Sequence, residues 1–336
     1  MVLKIKTNNT FVKIQDSMLE TEIERLEIYF RELLKKIGLE NETWSQINFF
    51  ELEKKKSIIR GLLRESKHSY KILKQLKQAF KNSDFSTETI KFYTKLYPMI
   101  HLPNDKSESV GLHFDNFGNK EFFTSWTAIT NYKYPALSYI KNSQNFKKLI
   151  SKFLIKFKIL NLFLSNINIQ KGEIYIWNGN MIHKGNLNTS KDISAAFQIK
   201  FTDENFIHEE SLNLKDELEN QYNLDFKLED LIDKYNKLIN FGCKIDNILK
   251  IKENKIDFYL NKSNNIEKKI ISFSLSVLAQ RIFTSNFPMI NAIKKEDIIK
   301  NLDLISIIFG GENLSSIHRL NRFNNKEIDE FLGRRL

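Results

Sequence analysis

Over residues 97–202 the chain breaks into short runs rich in β-branched and aromatic residues, each bounded by Pro, Gly, Asn or Asp. A long helix needs an uninterrupted 3.6-residue period, and turn residues this frequent deny it one. The pattern predicts strands over residues 110–114, 122–130, 136–140, 172–177 and 194–201. Short strands with connections of unequal length suit a sandwich or a double-stranded β-helix, a cupin-like jelly-roll variant, better than a parallel α/β sheet.

Helical periodicity flanks this stretch on both sides. Ser17 and Glu20 have capping-box spacing, after which Leu19, Ile23, Leu26, Phe30, Leu33 and Ile37 share one face until Gly38 ends the run. Tyr70, Leu73, Leu76 and Phe80 repeat the pattern, so the first hundred residues read as helices that buttress a sheet. Residues 144–166, apolar and lysine-rich, predict a covering helix with Leu149, Phe153 and Leu160 inward. After about Asp203 the texture is mainly helical again. Leu228, Leu231, Ile232, Tyr235, Leu238 and Ile239 form a stripe, residues 270–283 read as a buried helix, and residues 249–260 alternate like a hairpin. The expected class is α+β, with a helix-buttressed double-stranded β-helix domain over residues 1–205 and a mainly helical region over residues 206–336.

Composition narrows the chemistry. Cys243 is the one cysteine, so an intramolecular disulfide and a Cys-rich zinc site are both excluded, and any metal falls to His and carboxylates. A net charge of +11 suits an anionic partner. The lysines are scattered and no recognition motif accompanies them, so a dedicated nucleic-acid role is not expected. The N-terminus lacks the pattern of a secretory signal and no apolar run approaches about 20 residues, which leads us to expect no membrane span and a cytoplasmic location. The sequence sets no oligomeric state.

The local motif that carries chemistry is Gly111-Leu112-His113-Phe114-Asp115. In an extended segment His113 and Asp115 point to the same side, because side-chain direction has a period of two. One imidazole and one carboxylate then supply two of the three ligands of a facial triad, which leaves open positions on an octahedral iron(II). Alone this spacing is weak, since a chain with six histidines often contains such a tripeptide by chance. His183 supplies a third ligand, at the end of residues 172–183, which read as turn, strand, turn and histidine. Of the other histidines, His101 lies next to the predicted sheet as a candidate substrate contact, whereas His68, His208 and His318 read as surface or satisfied residues. No phosphate-binding glycine loop, His-Glu-x-x-His or nucleophile elbow is present.

Here a family comes into view. Glu173, His183, Gly185, Asn188 and Ser190 resemble the distal-histidine signature of the phytanoyl-CoA dioxygenase family, in which a Gly-Asp or Gly-Glu strand leads to His-x-Gly-x-x-Asn-x-Ser/Thr. Residues 125–129 and 135–140 resemble the intervening strands, although the usual turn after them is replaced by Lys141-Asn142-Ser143. The resemblance covers residues 97–202. It implies an iron(II), 2-oxoglutarate-dependent dioxygenase with His113, Asp115 and His183 on the metal, turning 2-oxoglutarate to succinate and hydroxylating a small-molecule, anionic or carrier-linked substrate in a bacterial biosynthetic pathway. Related halogenases replace the carboxylate ligand by a small residue; the presence of Asp115 implies hydroxylation instead.

One departure bears on the co-substrate. The family places an arginine eleven residues after the distal histidine, to pair with the far carboxylate of 2-oxoglutarate, and here that position is Ser194. A hydroxyl does not reproduce a bidentate guanidinium. Another cation substitutes, or the co-substrate differs, or oxygenase activity has lapsed to leave a binding or scaffold protein. If Ser194 faces inward, so do Ala196, Gln198 and Lys200, which makes Lys200 the substitute cation and Ser194 a second contact. Thr124, Trp126 and Ala128 share one face, and Trp126 resembles a family residue lining the cofactor pocket. Trp126, Thr124, Ser194 and Lys200 are thus the expected cofactor-binding residues.

Overall fold

In a computed structural model of the chain, residues 3–7, 11–40, 47, 49–81, 91–92, 96–105, 111–115, 123–147, 159–202 and 227–242 are described, with further positions at 150, 151, 153, 155, 266–267, 270–271, 273–275 and 277–278. Their contacts divide the chain into two units, Met1–Phe30 with Ser66–Asn220, and Arg31–Glu65 with Gln221–Leu336. The helices are α1 (Ser17–Ile37), α2 (Phe49–Arg64), α3 (Lys67–Lys81) and α4 (Leu228–Gly242). The strands are β1 (Leu3–Thr7), β2 (Phe11–Asp16), β3 (Lys91–Phe92), β4 (Tyr97–His101), β5 (Phe123–Ala128), β6 (Leu137–Ile140), β7 (Leu164–Ile167), β8 (Glu173–Asn178), β9 (His183–Gly185) and β10 (Ser194–Thr202). The chain thus mixes helices with antiparallel sheet.

The α1 stripe is buried along its length, from Leu19 to Ile37. Gly38 closes it at φ +72°, and the Leu39 N–H donates to the Leu34 carbonyl, the glycine cap that a left-handed residue allows. In α3, Tyr70, Leu73 and Leu76 are buried, and in α4 Leu231, Tyr235, Leu238 and Ile239 are. The side chains of Ser17, Leu149 and Phe80 lie outside the described residues, as do residues 249–260, His208, His318 and the expected boundary near residue 205.

Among the described residues the strands make two sheets in the first unit. The larger has the order β1-β2-β8-β5-β10-β3 with β4 also on β10, and the smaller is β7-β6-β9. Every pairing is antiparallel, and register fixes what shares a face. Trp126 stands between Gln198 and Tyr175, Thr124 between Lys200 and Trp177, and Ala196 between Ala128 and Met99. From this face Met99, Trp126, Ala128, Tyr175, Trp177 and Ala196 join Leu137 and Ile167 of the smaller sheet in one core cluster. The opposite face is buried as well, Ile14, Ile174 and Ile176 being fully so. Such strands read as continuous apolar runs rather than as alternation.

Several sequence expectations need correction. The first hundred residues are not all helical: residues 3–7 and 11–16 form a β1–β2 hairpin that joins β8, with Val12 and Ile14 buried. These runs fall below the length at which periodicity separates strand from helix. Residues 144–166 are not one helix. They hold a helical turn at 143–145, helical positions at 150, 151, 153 and 155, another turn at Ile159–Phe163 and then β7, and Phe153 is 57% exposed although Leu160 is buried. The strand expected over residues 110–114 is a single bridge at His113, with Val110 outside the described residues.

The second unit contains α2, α4 and helical positions between 266 and 278, where Ile270, Ile271, Leu275, Val277 and Leu278 are buried. Glu53, Lys56 and Arg60 are wholly buried on α2, Lys56 Nζ donating to Glu53 Oε1 at 2.6 Å. Gly61 permits close packing there, since a Cβ would lie 2.2 Å from Ser274 Oγ and 2.8 Å from the Ile270 carbonyl. Among the described residues no helix is long and apolar enough to cross a membrane.

Tyr175 gives the larger sheet a pH dependence. Burial raises its pKa above the ordinary tyrosine value, and the Glu173 carboxylate that accepts its hydroxyl proton at 3.2 Å adds to the effect. The folded state then keeps a proton that the unfolded chain releases, so stability falls as pH rises above about 10. Tyr175→Phe is expected to lose about 1 kcal/mol less than the wild type between pH 10 and 11, measured as urea midpoints at each pH.

Candidate metal centre

His113 and His183 face each other across an isolated antiparallel bridge. Each backbone N–H donates to the other's carbonyl at 2.9 Å. In such a pair the Cα atoms stand about 5.5 Å apart and both side chains leave on one side. The backbone therefore delivers two imidazoles to the same place, with ring centroids 4.3 Å apart. Asp115, two residues on and 4% exposed, returns its carboxylate to that side.

Asp115 Oδ1 lies 3.7 Å from His113 Nε2, and Oδ2 lies 3.7 Å from His183 Nε2. One ligand atom from each residue falls within 4.8 Å of the other two. At 3.7 Å neither contact is a hydrogen bond. Atoms that each sit about 2.1 Å from a shared ion are about 3–4 Å apart, which is the spacing found.

Proton placement on the rings follows from their other contacts. His113 Nδ1 is 2.8 Å from the Gly111 carbonyl and His183 Nδ1 is 3.0 Å from the Met181 carbonyl. A carbonyl only accepts, so each Nδ1 donates and each Nε2 of a neutral ring presents a lone pair. Two lone pairs and a carboxylate aimed at one point repel one another until a cation joins them. Thr124 Oγ1 donates to Asp115 Oδ2 at 2.8 Å and locks the carboxylate, and Trp177 meets the His183 ring edge-on at 5.2 Å.

Three polar devices hold the segments in place. The Lys141-Asn142-Ser143 turn puts Asn142 at φ +58°, and buried Ser143 Oγ donates to the Ile140 carbonyl while accepting the Ile182 N–H, which ties β6 to the approach to His183. Asn186 Nδ2 donates to the Pro135 carbonyl and to Ser138 Oγ. Asn188 Nδ2 donates to the carbonyls of His101 and Asp192, while its Oδ1 accepts from the Ser190 N–H and hydroxyl. Glu173 accepts from the Gln170 N–H and pairs with Lys13, so it fastens a turn and stands apart from the centre.

Of the expected cofactor residues, Thr124, Trp126 and Ser194 lie on one face of the larger sheet at 0%, 3% and 0% exposure. Lys200 stands opposite Thr124 in register, its side chain outside the described residues. Trp126 Nε1, Trp177 Nε1 and Ser194 Oγ are buried without a hydrogen-bond partner among the described residues. A buried donor left unmet costs about 1–3 kcal/mol, which an entering acceptor-rich group would recover. Sequence reasoning missed Trp177, whose only signal was its place in a strand ending six residues before His183, and Ser143, which reads as an ordinary turn residue. A cavity of about 880 Å³, lined by Gly111, Leu112, Ser138, Asn166, Lys184 and Asn186 among others, borders the centre through the neighbours of both histidines.

No family model and no curated protein matches the chain. Among solved structures it is similar to EvdMO1, at 14% identity and TM-score 0.32, covering 38% of this chain and 30% of that one. It is also similar to the non-haem alpha-ketoglutarate-dependent carbocyclase SnoK from nogalamycin biosynthesis, at 14% identity and TM-score 0.36, covering 57% of this chain and 79% of that one. A third is EvdO2 from Micromonospora carbonacea var. aurantiaca complexed with 2-oxoglutarate, at 15% identity and TM-score 0.32, covering 44% and 64%. The chain thus spans less than a third of EvdMO1 and just under two thirds of EvdO2. What singles out the centre is its side-chain geometry.

Asn188 is the joint on which β4 and the 186–193 loop meet. Asn188→Ala is expected to lower stability by about 2–4 kcal/mol, as several buried hydrogen bonds are lost together, with chemical denaturation as the measurement. Asn188→Asp should recover only part, because a carboxylate cannot donate to the His101 and Asp192 carbonyls.

Proposed function

We propose that the chain is a non-haem iron(II), 2-oxoglutarate-dependent oxygenase of the phytanoyl-CoA dioxygenase type, built on a double-stranded β-helix within residues 1–205, that hydroxylates a small-molecule, anionic or carrier-linked substrate. The observation that carries this reading is the meeting of two Nε2 lone pairs and one carboxylate, each held by a hydrogen bond made elsewhere. Two histidines and one carboxylate on one side of an ion leave further positions open, the arrangement suited to iron(II) that must also take a bidentate 2-oxo acid and dioxygen. Asp115 occupies the position that a halide would need, which favours hydroxylation.

The buried orphan donors fit the co-substrate. 2-Oxoglutarate brings two carboxylates and a ketone, all acceptors, to a face that offers Trp126 Nε1, Trp177 Nε1 and Ser194 Oγ. When bound, iron and 2-oxoglutarate supply the oxidising chemistry. The chain's own residues ligate, orient and exclude water: His113, Asp115 and His183 hold the ion, Thr124 keeps the carboxylate turned toward it, and Trp126, Ser194 and Lys200 align the co-substrate. The buried core around Trp126, Tyr175 and Trp177 keeps bulk water from that face. The 880 Å³ cavity beside Gly111 and Lys184 is of a size that takes a small organic substrate. A second reading, a catalytically lapsed binding or scaffold protein, is favoured by the hydroxyl at Ser194 in place of a guanidinium.

Purified protein is expected to form succinate only when both iron(II) and 2-oxoglutarate are supplied. His113→Ala and His183→Ala should abolish metal uptake in calorimetric titration. Thr124→Val, which keeps shape and removes the hydrogen bond to Asp115, should weaken metal affinity about 10- to 100-fold. Metal and 2-oxoglutarate binding without turnover would select the lapsed reading, and no uptake of iron(II) by the wild type would end both.

A further inference from the structure

Apolar side chains on a protein surface are ordinary when scattered singly, whereas a cluster of them marks a surface that something covers. Of the six large apolar side chains exposed among the described residues, five come from residues 146–163: Phe146, Ile150, Phe153, Leu162 and Phe163. Leu162 and Phe163 are 85% and 64% exposed, so they project into solvent rather than lie flat. Other residues of the segment already fasten it to the fold, since Ile155, Leu160 and Leu164 pack with Ile140 and Ile182. Ser151, whose N–H donates to the Lys147 carbonyl, is buried on the turn between Ile150 and Phe153. The helical positions here thus turn a small polar residue inward and two bulky apolar ones outward, the reverse of a helix that covers a core.

The same stretch carries charge of one sign. Asp and Glu make up 41 of the 336 residues, yet none lies between Glu121 and Glu173. Six lysines, Lys141, Lys147, Lys148, Lys152, Lys156 and Lys158, stand in sequence among or just before the exposed apolar residues. The two whose side chains are described, Lys141 and Lys147, are both exposed. Projecting apolar side chains among lysines, with no acid between them, suit a partner that is anionic outside and apolar within, which is a bilayer carrying acidic headgroups. A second copy of the chain would set lysine against lysine. An acidic protein would use the lysines and leave the projecting apolar side chains in water.

We propose that the 146–163 surface docks the chain on an anionic lipid bilayer, with Phe146, Ile150, Phe153, Leu162 and Phe163 entering the headgroup region while the lysines meet acidic headgroups. Among the described residues no helix is long and apolar enough to cross a membrane, so the contact is peripheral. Buried apolar area and electrostatic attraction both contribute to such binding. Ile155, Asn161 and Leu164 of the same part of the chain line the 880 Å³ cavity, so a docked chain holds that cavity beside the lipid. Docking of this kind needs no metal and goes beyond the oxygenase reading.

The test sediments the full chain with vesicles of phosphatidylcholine alone, or with about 30% phosphatidylserine added, and reads the bound fraction against lipid concentration. Wild type should bind the mixed vesicles and ignore pure phosphatidylcholine, and its affinity should fall about tenfold or more between roughly 0.1 and 0.5 M salt. Leu162→Ser with Phe163→Ser should weaken binding about tenfold or more, and Lys141→Glu with Lys147→Glu should do the same. All four residues are exposed, so thermal midpoints should stay at the wild-type value. Two controls lie on α1: Ile28→Ser removes the sixth exposed apolar side chain, and Lys35→Glu with Lys36→Glu makes an equal change in charge. Both should weaken binding far less. Equal loss from the α1 lysine pair, or no loss from Leu162→Ser with Phe163→Ser, leaves an attraction of charge alone, as for an acidic protein, and overturns the proposal. Failure of the wild type to bind the mixed vesicles also overturns it, and a dimer that Leu162→Ser with Phe163→Ser dissociates in sedimentation equilibrium would then assign the face to a second copy.

Discussion

Two backbone hydrogen bonds between His113 and His183 organise the centre. A reciprocal pair leaves little freedom in where the two side chains start, so convergence of the imidazoles does not depend on packing of the rings themselves. The same pair holds the 111–115 segment, which has no other described strand pairing, against β9. Asp115 then follows by the two-residue period of extended chain, and its buried carboxylate is turned by Thr124 from β5. Three ligands drawn from two segments of the smaller layer are thus steered by a residue of the larger sheet.

Around this pair the structure uses hydrogen bonds where a loop could otherwise drift. Ser143, Asn186 and Asn188 each bridge segments far apart in sequence, and each leaves its own side chain with little freedom. Side chains of this kind replace regular pairing where β9 has only three residues. The amides supply the rigidity that strand length would have supplied. A candidate metal centre needs its ligands held to within a few tenths of an ångström, and only a tied frame provides that.

The polar groups of the inner face divide into two kinds. Tyr175 and Glu173 satisfy each other and Lys13, and their contribution is to the fold. Trp126, Trp177 and Ser194 have donors without a partner among the described residues, a cost to the fold that an acceptor placed there would offset.

Much of the site was legible in the chain alone, because its signal is local. The period of two places His113 and Asp115 on one side wherever that segment is extended, and Glu173, His183, Asn188 and Ser190 stand at spacings set by one turn and one strand. The α1 stripe and Gly38 were legible for the same reason. The β1–β2 hairpin, the exposure of Phe153 and the breakup of residues 144–166 were not, since each is settled by which surface happens to lie opposite. Tertiary structure alone decided that His113 pairs with His183, that Thr124 orients Asp115 and that His101 stands beside Ser194. Register between strands distant in sequence is a property of the assembled sheet, so no period within either strand encodes it.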